Sequence, residues 1–568
     1  MSSISIVSDL ASGRDALLAG DSHAAVAILE RIVAAAPADI EPRYWLASAK
    51  LTARDPQAAA AMDDARILHA LAQARAMGAD VHRCRIDSAY AAEIATRLYA
   101  QKLVAMSGVV RGMALSTAID AQGLLNYGLA LQHQGRAEEA CQVFRAAAEN
   151  FPSAAAHQFL IYPQMFCEGG DARHFAAARE WTKAYAPGAV SAPHANPGRG
   201  GRKLRIGYVA PRFAGSQLMQ FIAPLLEAHD PEAVSVTLYP SHAETEAGWP
   251  SWIDVHALGQ LDDAQAAAVI RRDRIDVLAD CWGHTAGSRL PVFAHRPAPV
   301  QVGWINFVQT TGLDQMDYIL HADATEAPAG IAEVFTEQIW PIGPVFNAFR
   351  PATGRLPPAP TPALRTGQVT FGSFNHPAKL SDSALDAWAA ALRGAPASRL
   401  LLKYSYFADP VLQRVTQARF AARGVAPERI VFAGHSSGEA YFQAFREIDL
   451  MLDAWPAPGS TTTLDALSNG VPVLARATPG IVGHYSLTIL EACGLPELIA
   501  TNAEDFVARA IDLAHDVDRL DAVRARVRPG FDHGACSDEA GFTRRVEAAF
   551  GEMFDLWVAG ARGERAHG

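Results

Sequence analysis

From residue 203 onward the chain alternates short apolar runs with helical segments, and that alternation restricts the fold more than any other feature. The first series is KLRIGYVA (203–210), VSVTLYP (234–240), IDVLADCWG (275–283), VQVGWINF (300–307) and MDYILHAD (316–323). Helical segments such as DDAQAAAVIRRD separate them. A Pro-rich stretch, RPATGRLPPAPTPALRTGQ (350–368), interrupts the pattern. A second series then begins: VTFGSFN (369–375), SRLLLKY (398–404), RIVFAG (429–434), DLMLDAW (449–455) and VPVLAR (471–476). Strand–helix alternation predicts parallel sheets covered by helices on both faces. Two such series joined by a Pro-rich crossover predict two Rossmann-like lobes with a cleft between them. Ligands of such sheets bind beyond the carboxyl ends of the strands. The residues that follow each run are therefore the candidates for chemistry.

The N-terminal third reads differently. Residues 1–185 are Ala-rich and predicted all-helical. LLAGDSHAAVAILERIVAAAPAD (17–39) resembles LALQHQGRAEEACQVFRAAAENFPS (129–153) at a constant offset of 115: Gly20 with Gly135, Ala25 with Ala140, Leu29 with Phe144, Pro37 with Pro152. Small residues allow two helices to approach, and the proline stops the second one. This is the pattern of the tetratricopeptide hairpin, about 34 residues long. RYWLASAKL and AQARAMGADV, in between, are expected to be helical but match the repeat poorly. Stacked hairpins commonly offer a concave surface to a peptide or protein. APGAVSAPHANPGRGGR (186–202) reads as a linker. The expected domains are 1–185 helical, 203–349 first lobe, 350–368 interlobe linker and 369–568 second lobe with C-terminal helices.

Bulk properties remove several classes. The 568 residues exceed one core, and a net charge of −11 argues against general affinity for nucleic acid or anionic membrane. The six cysteines form no CxxC pair, so no zinc ribbon or dithiol site is indicated, and free thiols in a reducing cytoplasm are expected. The N-terminus lacks a signal-peptide pattern, and no run reaches the roughly 18 apolar residues of a membrane span.

Among the strand-end residues, WPAPGSTTTLDALSNG stands out. Gly459, Ser460, Thr461 and Thr462 precede a predicted helix. One reading is simple helix capping, for which a single hydroxyl suffices. The other is a phosphate cradle, because helix N-terminal N–H groups and the helix dipole attract anions. No GK[ST] follows, so it is not a Walker loop. In FGSFNHPAKL, Lys379 sits four residues past Asn375, where an ammonium would meet a phosphate at the cleft mouth. The loop GHSSGE, with His435 and Ser436, offers polar groups near a base or ribose. In the first lobe, His284 and Thr285 follow one run, Thr310 and Thr311 another, and Ser216 and Gln217 a third, after Arg212. No DxD with partner ligands is present, so a leaving diphosphate would depend on Lys379 and the helix end rather than a metal.

These stretches together resemble glycosyltransferase family 41, the O-linked N-acetylglucosamine transferase and SPINDLY group. The carriers are FGSFNHPAKLSDSALDAWAAAL, IDLMLDAWPAPGSTTTLDALSNGVPVL, LPELIA, LRIGYV, WGHTAGSRL, RPAPVQVGWI and TTGLDQMDY. The resemblance implies a GT-B arrangement of the two lobes and an inverting, metal-independent transfer from a nucleotide sugar, UDP-GlcNAc in the family, to protein Ser/Thr. It implies that Lys379 holds the diphosphate and assists its departure, that Thr461 and Thr462 contact phosphate, and that Asp465 bonds the ribose. It places the His435–Ser436 loop at the base and Thr310 near the sugar. His284 is the candidate base. Three segments depart from the family pattern. RFAGSQLM has Ser216 where a histidine is expected, WINFVQTTG stands for WLGYPGTTG, and VGHYS replaces an SRVG-like segment. All lie on the sugar and acceptor side. A different donor, such as a CMP-linked nonulosonic acid passed to a dedicated acceptor like flagellin, or a silent nucleotide-binding scaffold, are the competing expectations. The acceptor is expected to be a protein recruited by the helical repeats.

Overall fold

The computed structural model describes residues 21–35, 88–115, 120–188, 193–216, 218–242, 248–323, 330–351 and 355–560, with isolated positions before residue 50. Its contacts divide the chain into two units, 1–147 with 405–418, and 148–404 with 419–568. The repeat-like segments RYWLASAKL and AQARAMGADV, together with Gly20, Pro37 and Gln217, lie outside the described residues, Leu46 excepted.

The described part of the first unit is helical. Asp120 caps the helix Ala121–Gln132 by accepting from Gly123 N, and Gly135 turns the chain at φ 75° into the helix Ala137–Asn150. The hairpin closes tightly because Gly128 faces Phe144: a Cβ there would lie 2.4 Å from the ring. Ala140 and Phe144 are fully buried, as are Ala25 and Leu29 of the helix Ser22–Ala35. An excursion from the second lobe, 405–418, joins this unit. Its buried Asp409 accepts from Ala105 N and Met106 N at 2.7 and 3.1 Å and from Val411 N at 2.8 Å. One carboxylate thus caps two helices.

The second unit holds two parallel sheets. The first contains β1 (Leu204–Ala210), β2 (Val234–Pro240), β3 (Asp254–Val255), β4 (Val277–Asp280), β5 (Val300–Gly303), β6 (Tyr318–His321) and β7 (Gln338–Pro341). Their order is β3-β2-β1-β4-β5-β6-β7. The second contains β8 (Thr370–Ser373), β9 (Arg399–Lys403), β10 (Ile430–Ala433), β11 (Leu450–Leu452), β12 (Val473–Arg476) and β13 (Ile499–Ala500), ordered β10-β9-β8-β11-β12-β13. All ten apolar runs form strands. β1 is buried at six of its seven positions, as parallel strands covered on both faces require. The strand order reverses between β1 and β4 and between β8 and β11, so each lobe has a switch-point crevice there. The lobes meet where Phe346 stacks on Tyr485, with ring centroids 4.6 Å apart. No described helix is long and apolar enough to cross a membrane.

Two expected boundaries are corrected. Residues 148–185 belong with the α/β unit and not with the repeats: Ala178 and Trp181 enter the first lobe's core, and Arg179 donates to Gly312 O at 2.8 Å. The last helix, Glu539–Val558, crosses back onto the first lobe. Its apolar stripe, Phe542, Val546, Phe550 and Phe554, is fully buried. Phe542 stacks on Trp304, and Glu547 meets His229 Nδ1 at 2.7 Å. A helix with that stripe must bury it, and the first lobe supplies the surface.

Candidate active site

The crevice between β8 and β11 gathers the strongest group of predicted residues. Asp453 directly follows β11, fully buried under the loop that comes next. Its Oδ1 accepts from Gly459 N at 2.7 Å, Ala454 N at 2.9 Å and Asn375 Nδ2 at 3.3 Å. Burial raises its pKa, against the hydrogen bond of Ser486 and the charge of Lys379. The carboxylate fixes the loop and ties it to the end of β8. Gly459 is obligatory in this packing: a Cβ would stand 2.3 Å from Thr463 Oγ1.

The helix Thr461–Ser468 opens here, and its hydroxyls divide by role. Thr462 Oγ1 donates to Asn375 Oδ1 at 2.9 Å, and Thr463 Oγ1 pairs with Ser486 Oγ at 3.3 Å. Ser460 occupies the N-cap, yet its side chain makes no capping bond. The hydroxyls of Ser460 and Thr461 have no partner among the described residues, and both are half-buried. The first-turn N–H groups have no intrahelical acceptor. The capping reading of this stretch therefore fails. Two hydroxyls shape the loop, and two are left beside unpaired N–H groups at the positive end of a helix dipole.

Lys379 ends a short 3-10 turn, Pro377–Lys379, begun by His376, whose Nδ1 accepts from Ala378 N at 2.9 Å. The ammonium donates to Pro458 O at 2.6 Å, one residue before Gly459. Desolvation lowers its pKa to about 8, with Asp453 opposing. It remains mostly a cation at neutral pH. Sequence reasoning had joined Lys379 to this stretch only by their both following strands; the structure joins them by a hydrogen bond.

Asp465 lies one turn into the same helix. Only 5% exposed, it accepts from Tyr441 OH at 3.0 Å through Oδ2, and burial raises its pKa to about 7. The GHSSGE loop leads from β10 to Tyr441. His435 is exposed, while Ser436 Oγ is enclosed without a partner. Lys403, at the end of β9, donates to Gly434 O at 2.9 Å and lies over the Tyr441 ring. Asp453, Lys403 and Tyr441 were not singled out from sequence, although each stands within a stretch that follows or ends an apolar run.

In the first lobe the predicted residues separate. Ser216 and Thr285 stay half-buried at the β1–β4 switch point, with hydroxyls donating to Phe213 O and Trp282 O, both at 2.8 Å. His284 does not. It is 1% exposed, its Nε2 is 2.7 Å from Thr311 O, and Trp181 and Phe307 pack edge-on against its ring. Burial drops its pKa to about 3. A histidine so enclosed and so weakly basic is not a working general base, which corrects the expectation. Thr310 and Thr311 are corrected likewise. Both are buried, and Glu337 accepts from Thr310 Oγ1 at 2.6 Å, from Thr311 N at 2.7 Å and from Thr311 Oγ1. Their hydrogen bonds satisfy the buried carboxylate of Glu337.

Comparison with known proteins gives the family and the fold. The sequence matches glycosyl transferase family 41 over residues 145–346 and 361–535. It is similar to the probable UDP-N-acetylglucosamine–peptide N-acetylglucosaminyltransferase SPINDLY of Oryza sativa subsp. japonica, 31% identical over 412 residues covering 69% of this chain and 43% of the relative. The UDP-N-acetylglucosamine–peptide N-acetylglucosaminyltransferase of Caenorhabditis elegans is 24% identical over 484 residues, covering 63% and 41%. The chain thus spans less than half the length of these curated relatives. Among solved structures, a mutant O-GlcNAc transferase of Thermobaculum terrenum superposes with a TM-score of 0.74 at 26% identity, covering 99% of this chain and 100% of that one.

Proposed function

The chain belongs to glycosyltransferase family 41, with the two-lobed GT-B fold, and from that premise we propose that it transfers a sugar from a nucleotide-sugar donor, UDP-GlcNAc by likeness to its relatives, to Ser or Thr of a protein acceptor. The observation that carries this reading is the uncapped helix end at Ser460–Thr462, held beside the Lys379 ammonium. Transfer with inversion has the acceptor hydroxyl oxygen attack the anomeric carbon while the bond to the diphosphate oxygen breaks on the opposite face, and the hydroxyl proton is released to solvent. Negative charge grows on the leaving diphosphate. Preorganised donors aimed at that charge lower the barrier, and the first-turn N–H groups, the free hydroxyls of Ser460 and Thr461, and Lys379 are such donors. Together they neutralise a diphosphate without requiring a metal ion.

Asp465 is assigned to the ribose and the 435–436 loop to the base. Ser216 and Thr285, at the facing switch point, are assigned to the sugar or acceptor side. The N-terminal helices, among them the hairpin of Ala121–Gln132 and Ala137–Asn150, are assigned to acceptor recruitment. Cys281, Cys493 and Cys536 are buried thiols, which suits a reducing cytoplasm. The test is release of UDP from UDP-GlcNAc by the intact protein and by Lys379→Ala. Loss of one transition-state donor costs about 10²–10³ in turnover; turnover unchanged in Lys379→Ala would sink the assignment.

A further inference from the structure

A cavity of about 350 Å³ lies beside the diphosphate loop, within the α/β unit. One side is the 3-10 turn Tyr162–Phe166 with the start of the helix Gly170–Tyr185, and the other is the segment that follows β12. Trp455 forms part of the wall. The same residue opens the loop that leads to Gly459, and its carbonyl accepts from Ser381 Oγ at 2.6 Å, two residues after Lys379. A ligand held here is therefore a neighbour of the donor site.

The polar groups around the cavity are of two kinds. Its carboxylates are engaged. Asp171 accepts from Gln309 Nε2 at 3.0 Å, and burial raises its pKa; Glu168 accepts from the Ser383 hydroxyl. Three other groups are not engaged. Arg476 makes no ion pair among the described residues: its guanidinium lies over Trp455, 5.0 Å from the ring centroid, and its Nε is enclosed without a partner. Thr478 Oγ1 and Gln164 Oε1 are enclosed without partners as well, on side chains 7% and 2% exposed. Buried polar groups are nearly always paired, so three orphans around one cavity point to a ligand. A carboxylate answers the guanidinium and the hydroxyl, and an N–H answers the Gln164 carbonyl. An aspartate or glutamate within a peptide carries both. Gly480, at φ 91°, leaves its stretch of wall without a side chain, where a main chain can approach.

Resting on the protein-acceptor reading above, we propose that this cavity is a specificity subsite of the acceptor: it takes an acidic residue flanking the modified Ser or Thr, with the carboxylate on Arg476 and Thr478 and a peptide N–H on Gln164. Arg476 selects sequence here and takes no part in bond breaking.

The experiment uses an array of immobilised heptapeptides, each with a central Ser and random flanks, probed with the full chain saturated with UDP. Binding needs no transferable sugar. Asp and Glu are expected to be enriched at least about threefold at one offset from the Ser, the preference that one partly exposed ion pair supplies. Arg476→Ala is expected to bring that enrichment below about 1.5-fold, and Arg476→Lys to keep part of it. Arg476→Glu is expected to replace it, at the same offset, with Lys and Arg, a reversal that a merely structural role does not produce. Circular dichroism checks each variant's fold, and the folded ones decide. Flat composition at every offset, a preference for Lys or Arg on the unaltered protein, or an acidic preference unmoved by the variants overturns the proposal. Calorimetry with UDP on the unaltered protein keeps the two readings apart: absence of heat overturns the donor site, and the array still decides the acidic subsite.

Discussion

Gly459→Ala probes whether the loop before the helix Thr461–Ser468 works by close packing. Gly459 does not have positive φ, so alanine suffers no backbone penalty and its effect is steric. The new methyl would lie 2.3 Å from Thr463 Oγ1, 2.9 Å from Thr462 Oγ1 and 3.2 Å from Asp453 Oδ1. Thr463 cannot give way cheaply, since it is fully buried against Ser486. Overpacking of this kind costs about 1–3 kcal/mol, offset by roughly 0.4–1 kcal/mol from the stiffer unfolded chain. A net loss of about 1–2 kcal/mol is expected. The functional effect is expected to be at least comparable to the stability effect. Displacing Thr462 breaks its bond to Asn375 and turns the first-turn N–H groups, so UDP affinity should fall at least about tenfold, or about 1.4 kcal/mol. Thermal melting and UDP calorimetry on the same preparation separate the two. Affinity held within about twofold, whatever happens to the melting temperature, would refute the idea that this packing holds the diphosphate site.

The remaining predictions concern protonation and the first lobe. With the Lys379 pKa near 8, kcat/KM for UDP release should be level through neutral pH and fall about tenfold per unit above pH 8 as the ammonium loses its proton; Lys379→Arg should move that limb beyond pH 10. His284→Phe should leave UDP release within about fivefold of the unaltered protein, since the ring is enclosed. Loss of turnover with the fold retained, judged by circular dichroism, would restore a catalytic role.

The legible part of this protein was its periodicity. Every apolar run became a strand because parallel strands covered on both faces must be apolar, and that requirement shows in sequence. The helix start within GSTTT was legible for a related reason, since hydroxyls favour helix N-termini, and the helix Thr461–Ser468 does begin there. Partnership across the chain was not legible. Asp409 caps a helix that begins about three hundred residues earlier, Glu337 takes up two threonines that looked like sugar ligands, and Glu539–Val558 returns to a lobe it does not follow in sequence. His284 shows the same limit. Its position after β4 was correct, but Trp181, from a helix assigned to another domain, closes over it. Burial of a single side chain depends on such distant neighbours and leaves no local mark. Tyr441 was missed because its significance lies in its bond to Asp465 and not in its own surroundings.

The central claim is that the Ser460–Thr462 helix end and Lys379 hold a diphosphate. Calorimetric titration with UDP and with uridine, on the unaltered protein and on Lys379→Ala, tests it most directly. The account predicts that UDP binds at least about 100-fold more tightly than uridine, a gap of about 2.7 kcal/mol, and that Lys379→Ala removes most of the gap while its melting temperature holds. UDP binding no tighter than uridine, or a gap that survives Lys379→Ala undiminished, would contradict it.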